Sequence, residues 1–270
     1  MSLDGAVDTH VHVVDRTRFP YPEGPGNKPD VDAPRHALAA ALAETGIAHA
    51  VVVQLSGYGT DNRPILDAIA ASGGRYRGIA AVDPATDEAT LQKLADGGIV
   101  GVRLNVVNLG RSAIANAERL LARVAERGWI VQVQCAAPAL PEFAPLLKAS
   151  KARLLFDHLG LPDVPRGVQE RGFQTLLSLA ADGAAIKLSG AFRCSDEPFP
   201  HADLDDFVAA IREAFPPQQR IWGSDWPFVA CDPRPTYAET LRQLEAWVPD
   251  PTERQIVLSD TPRRLFGFAP

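Results

Sequence analysis

Short runs of apolar and β-branched residues alternate with longer stretches whose apolar positions recur at helical spacing, and the alternation repeats along the chain. The short runs predict strands over Ala6–Val14, His49–Gln54, Tyr76–Val82, Val100–Val106, Trp129–Cys135, Arg153–His158, Ala185–Ser189 and Arg220–Asp225. Helical spacing falls between them, over Arg35–Thr45, Asn62–Ser72, Glu88–Asp96, Ala113–Arg127, Leu140–Ala149, Gly167–Ala181, Leu204–Phe215 and Thr236–Trp247. Eight strand–helix units of this size predict a parallel sheet covered by helices. Closure into a (β/α)8 TIM barrel accommodates eight units, and 270 residues is an ordinary length for one. No linker-like stretch divides the chain, so a single domain is expected over 1–270. An open doubly wound sheet would call for a glycine fingerprint after its first strand. Asp8-Thr9-His10-Val11-His12 stands there instead, and no GxGxxG occurs.

Two segments break the pattern. Arg16 to Pro34 is rich in Pro, Gly and Asp, and its length predicts a lid or pocket wall after the first strand. The tail Ser259 to Phe266 reads as a terminal helix, with Asp260 or Thr261 as its cap and Pro262 in the first turn.

Charge narrows the partners. With 27 basic and 33 acidic residues the formal charge is −6, which argues against nucleic acid or an anionic membrane as the main partner. No apolar run is long enough to cross a bilayer, and Met1 to Val7 lacks the layout of a secretion signal. Cys135, Cys194 and Cys231 are widely spaced and form no CxxC pair, which points to three small buried side chains in a reducing cytoplasm.

In such barrels the chemistry gathers at the C-terminal ends of the strands. His10 and His12 lie two apart on strand one and therefore point to the same side. His158 ends strand six and Asp225 ends strand eight, which closes beside strand one. A lone His on a strand is usually a packed, hydrogen-bonded residue, and His36 and His49 are expected to be of that kind. Polar groups ending three barrel strands together are another matter, and they predict a catalytic centre of His10, His12, His158 and Asp225.

These residues carry a resemblance. HxH on strand one, His on strand six and Asp on strand eight resemble the amidohydrolase superfamily. The segments Asp8 to His12, Val53 to Asn62, Gly101-Val102-Arg103-Leu104-Asn105, Asp157-His158-Leu159-Gly160 and Lys187 to Arg193 are similar to its branch of 2-pyrone-4,6-dicarboxylate lactonases and sugar-lactone hydrolases. That resemblance implies hydrolysis of a small acidic lactone, with Asp225 as the base that activates water and His10, His12 and His158 polarising the carbonyl. It implies Arg103 and Arg193 as binders of substrate carboxylates, for which a guanidinium fork is suited, and Ser56 and Tyr58 as further donors. A lactone isomerase, a decarboxylase, or a barrel that binds without catalysis are the alternatives.

The pattern also departs from metal-dependent amidohydrolases. Strand five, Trp129 to Cys135, offers no His, so a binuclear centre is not expected. The expectation is that no cofactor is required. One divalent ion such as zinc, if bound, would sit on His10, His12 and Asp225. The second basic residue that the branch places soon after the strand-four Arg is missing from Val106 to Gly110, with Arg111 the nearest substitute.

Overall fold

A computed structural model describes residues 3, 5–24, 28–109 and 116–269. The strands are β1 (Val7–Val11), β2 (His49–Val53), β3 (Tyr76–Ala80), β4 (Ile99–Asn105), β5 (Ile130–Gln134), β6 (Arg153–Phe156), β7 (Ala185–Leu188) and β8 (Arg220–Trp222). They form one sheet in sequential order, every neighbouring pair parallel. The seam between the last and first strands closes just past the end of β8. There Asp225 donates its amide to His10 O at 2.8 Å, and His12 donates to Trp226 O at 2.8 Å. The expected (β/α)8 barrel is therefore the fold.

Among the described residues, eight helices of eight residues or more lie between and after the strands: Arg35–Thr45, Arg63–Ala71, Glu88–Asp96, Glu118–Glu126, Leu140–Ala149, Arg171–Ser178, Asp205–Ala214 and Tyr237–Trp247. Each turns one apolar stripe inward, as Glu118–Glu126 does with Leu120, Leu121 and Val124. The strands are apolar on both faces because both are covered. Ala50 and Val52 pack outward under the helices, while Val51 and Val53 pack inside the barrel with Val7, Ile79, Ile130, Leu155, Ala185 and Ile221. Phe266 and Phe268 join that inner cluster and plug the end of the barrel away from the catalytic mouth.

One irregularity decides where the chemistry can sit. Val7 pairs with His49 and Asp8 with Ala50, but Val11 pairs with Val52, so β1 carries one extra residue. Strict alternation from Val7, which faces inward, would turn His10 and His12 outward. The extra residue shifts the parity, and Val11 packs in the outer core while both imidazoles enter the barrel.

Three expectations need correction. Asp260 does not cap the tail, because Ile256–Asp260 is already helical with π-type bonding and leads straight into Thr261–Phe266. Thr261 donates its hydroxyl to Pro217 O instead of capping. His36 is exposed on the first helix, whereas His49 packs on the ring of Phe268 as expected. Of the three cysteines, all free, only Cys135 is fully buried. Arg111 and the start of the fourth expected helix, residues 113–115, lie outside the described residues. The segment after β1 folds back on the mouth. Val14 bridges Ala33, and this pair packs with Leu55, Tyr58 and Val229, with Phe19, Tyr21, Val31 and Trp226 against them. Its described residues pack against the turns that follow β2 and β8.

Candidate active site

The barrel interior changes character halfway up. Above the apolar inner cluster, Arg103, Gln132, Asp157, Lys187 and His10 project inward, and His12, His158, Asp225 and Arg193 lie above them. The strands end early, so His158 stands two residues beyond β6 and Asp225 three beyond β8. Both take positive φ, 49° and 66°, as do Leu159 and Leu161 beside the first. Backbone held in that region concentrates at functional sites, where surrounding bonds enforce it. For Asp225 the enforcing bonds are those of the seam, and for its neighbourhood they come from Asp8. That buried carboxylate accepts from Ser224 N at 2.9 Å, Ser224 Oγ at 2.5 Å, Tyr237 Oη at 2.5 Å and His10 N at 3.1 Å. Asp8 thus ties the histidine strand to the segment bearing Asp225.

Around Asp225 four side chains converge. Arg193 donates Nε to Oδ2 and also reaches Val229 O at 3.2 Å. His12 Nε2 stands 3.3 Å from Oδ1, His10 Nε2 3.8 Å from the same oxygen, and His158 Nε2 3.7 Å from Oδ2. All of these but Arg193, whose side chain is 19% exposed, are buried. His10 stacks on His158 with ring centroids 4.7 Å apart. His158 Nδ1 meets Ser189 Oγ at 3.1 Å. Gly190 packs so closely that a Cβ there would lie 2.5 Å from His158 Nδ1, and its φ of +65° suits glycine.

Beneath lies a second buried carboxylate. Asp157 has Lys187 Nζ at 3.2 Å and His10 Nδ1 at 3.3 Å from Oδ1, and Gln132 Nε2 at 3.1 Å and Arg103 at 3.4 Å from Oδ2. Reasoning from the sequence passed over Asp157 and Lys187, although both lie in the motifs Asp157-His158-Leu159-Gly160 and Lys187-Leu188-Ser189-Gly190. Asp157, just past β6, and Lys187, within β7, are fully buried charges, a kind that is rarely buried unless paired.

The predicted binding residues divide. Arg193 is at the centre. Arg103 is too, but it is engaged by the protein, donating to Gln134 Oε1 at 2.7 Å and Gln54 O at 3.1 Å, with its side chain only 6% exposed. Tyr58 is fully buried, accepts from Asp15 N at 3.1 Å and packs on Tyr21, so these contacts are with the segment after β1. Ser56 opens the turn Ser56–Tyr58 beyond β2.

The electrostatics follow from burial and from opposed charges. Burial pushes the Asp225 carboxyl up, but opposing charge, that of Arg193 foremost, outweighs it and holds the group well below the usual carboxylate range. Burial likewise opposes ionisation of Asp157, and Lys187 foremost, with Arg103, overcomes it. Burial holds His158 neutral, lowered to about 4. Burial also lowers His10, with Lys187 adding to the effect. Lys187 comes down to about 8 through burial, against the pull of Asp157. At neutral pH the centre therefore holds two carboxylates, two arginines, a largely protonated lysine and neutral His10 and His158.

The amidohydrolase family model matches residues 7–268. This chain belongs to the amidohydrolase family. The 2-pyrone-4,6-dicarboxylate hydrolase of Comamonas testosteroni is 32% identical over 276 residues, covering 97% of this chain and 90% of that protein. The 4-sulfomuconolactone hydrolase of Rhizobium radiobacter is also 32% identical, over 271 residues, with 97% and 90% covered. A solved structure described as a probable 2-pyrone-4,6-dicarboxylic acid hydrolase from Acinetobacter baumannii with citric acid bound superposes with a TM-score of 0.88 at 31% identity, covering 98% of this chain and all of that one. The amidohydrolase is thus an enzyme whose polar centre lies where barrels of this kind place their chemistry.

Two groups of side chains in it offer ligand atoms close enough for a metal ion: His10, His12 and Asp225, and His10, Asp157 and His158. The charges around them disfavour one. Arg193 already holds one oxygen of Asp225, Lys187 and Arg103 flank Asp157, and three cations face two carboxylates before any ion arrives. A divalent ion would raise an existing excess of positive charge in a buried site.

Proposed function

We propose that this amidohydrolase is a lactonase that opens a small, carboxylated lactone without requiring a metal or other cofactor. The observation that carries the reading is Asp225, ionised and buried among three histidines, with the cationic Arg193 beside it. Hydrolysis of a lactone needs a base for water and hydrogen-bond donors where negative charge develops on the carbonyl oxygen. Asp225 supplies the base. It takes the proton of the attacking water as the C–O bond to the carbonyl carbon forms, and returns it to the ring oxygen as the ring C–O bond breaks. His10 and His158, buried and neutral, stabilise the tetrahedral oxyanion by donation. Arg193 can turn from Asp225 to a substrate carboxylate, forming the same kind of charged bond with a new partner. Arg103 sets positive potential beneath the site and holds Asp157. The names of the two curated relatives, both hydrolases of acidic ring substrates, support this class. The fold alone would not, since barrels host many reactions.

A cytoplasmic, small-molecule enzyme agrees with the acidic chain, and no helix among the described residues is long and apolar enough to cross a membrane. The test is a panel of carboxylated and neutral lactones, following ring opening, isomerisation and carbon dioxide release separately. Ring opening of acidic members supports the proposal. Release of carbon dioxide, or isomerisation without hydrolysis, overturns it in favour of a decarboxylase or an isomerase on the same scaffold.

A further inference from the structure

Lys187 has no role in the reading above, yet it is fully buried at the base of the centre, and its position fixes something the reaction needs. Its Nζ donates to Thr9 O at 3.0 Å and lies 3.1 Å from His10 Nδ1 in hydrogen-bonding geometry, while Asp157 Oδ1 stands 3.2 Å away as its counter-ion. An ammonium group has three protons and no lone pair. If His10 carried its proton on Nδ1, two N–H groups would meet at 3.1 Å. Placing the proton on Nε2 removes the conflict: Nδ1 and Asp157 Oδ1, 3.3 Å apart, then both face the Lys187 ammonium, 3.1 and 3.2 Å away. Nδ1 then accepts from Lys187, and a buried N–H with no hydrogen-bond partner among the described residues points into the centre.

His12 is set the other way. Its Nδ1 lies 2.8 Å from Val53 O, a carbonyl that can only accept, so its proton sits on Nδ1. Its Nε2 therefore offers a lone pair, 3.3 Å from Asp225 Oδ1. Two adjacent acceptors of this kind suit the two O–H groups of one water molecule.

We infer that Lys187 is a positioning residue that locks His10 into the Nε2–H form, so that the two histidines of β1 divide the work: His10 donates to the carbonyl oxygen while His12, with Asp225, accepts from the attacking water. The inference rests on the lactonase reading for its consequence, but the proton positions can be measured without any substrate. Long-range 1H–15N correlation spectra of histidine-labelled protein distinguish the two neutral tautomers, with His10→Gln and His12→Gln used for assignment. His10 is expected as Nε2–H and His12 as Nδ1–H. In Lys187→Met, His10 loses its donor and shifts its proton toward Nδ1, where Asp157 Oδ1 stands 3.3 Å away. kcat on an acidic lactone should then fall about a hundredfold, the scale of losing one oxyanion donor, with KM within a few-fold. Lys187→Gln retains an N–H for Nδ1 and should recover part of that loss. A wild-type spectrum with His10 protonated on Nδ1 overturns the inference, and so does an unchanged His10 tautomer in Lys187→Met. Should that variant fail to fold, the wild-type spectrum still decides. Should no lactone be turned over, the lactonase reading fails while the tautomer assignment stands or falls by the spectrum.

Discussion

Replacing Arg193 by Met separates the contact it makes with the protein from the one proposed for it with substrate. In the free enzyme its guanidinium is bonded to Asp225 and to Val229 O, and it is the strongest of the influences that hold Asp225 ionised against burial. An adjacent Arg lowers a carboxyl pKa by about 1–3 units, so its removal should raise the acid limb of the kcat/KM profile by a similar amount. Arg193→Met should also lose the charged bonds to a substrate carboxylate, about 1.5–3 kcal/mol, which is roughly a ten- to hundredfold fall in kcat/KM for acidic lactones. Neutral lactones should be nearly spared at neutral pH, where Asp225 remains ionised. Arg193→Lys keeps the charge and loses the planar fork, so it should leave the acid limb in place and lower acidic-substrate turnover by less. The assay is initial-rate ring opening across the acid and neutral range for one charged and one neutral lactone, with circular dichroism confirming the fold of each variant. An acid limb that coincides with wild type in Arg193→Met, or equal losses on both substrates, would refute the reasoning.

Exhaustive chelation should leave the rate unchanged, because the carboxylates are already matched by Lys187, Arg103 and Arg193; stoichiometric zinc whose removal abolishes turnover would show the opposite. Burial lowers His158 from 6.5 to about 4, so the unfolded chain takes up that proton first as pH falls. Its contribution to stability is therefore present above about pH 6.5 and is lost progressively down to about 4, on the order of 3 kcal/mol in all. Urea melts of His158→Gln at neutral and mildly acidic pH should show a shallower decline than wild type, and parallel declines would remove His158 as the cause. Gly190→Ala places a methyl 2.5 Å from His158 Nδ1, and should lower kcat by about a hundredfold through displacement of the ring, as steady-state rates on a folded variant would show.

The barrel was legible because its strands are buried on both faces and its helices on one, which leaves two distinct periods in the sequence. The catalytic histidines were legible from position, at the end of β1, yet the reason given for their shared direction was incomplete. His10 and His12 do point the same way, but they point inward only because β1 carries an extra residue, and no hydrophobic pattern reports a slip inside a strand with both faces buried. Strand ends were overrun at His158 and Asp225 because their positive φ values are imposed by tertiary bonds, the seam and Asp8 among them. The terminal helix was mis-started at Asp260 for a related reason: a Ser-Asp-Thr-Pro sequence is a good cap in isolation, but the preceding turn is held helical by packing on the barrel floor. Asp157 and Lys187 escaped notice because each looks like an ordinary strand-end charge until β6 and β7 bring them together beneath His10.

The central claim is that Asp225 takes a proton from water. Asp225→Asn preserves the size of the side chain and removes its capacity as a base, so the direct measurement is ring opening of the best carboxylated lactone by wild type and by this variant, at a pH where the wild-type carboxyl is fully ionised. The account predicts a fall in kcat on the order of 10²–10⁴-fold, with the folded variant still binding the lactone in a calorimetric titration. A variant rate within a few-fold of wild type would contradict it.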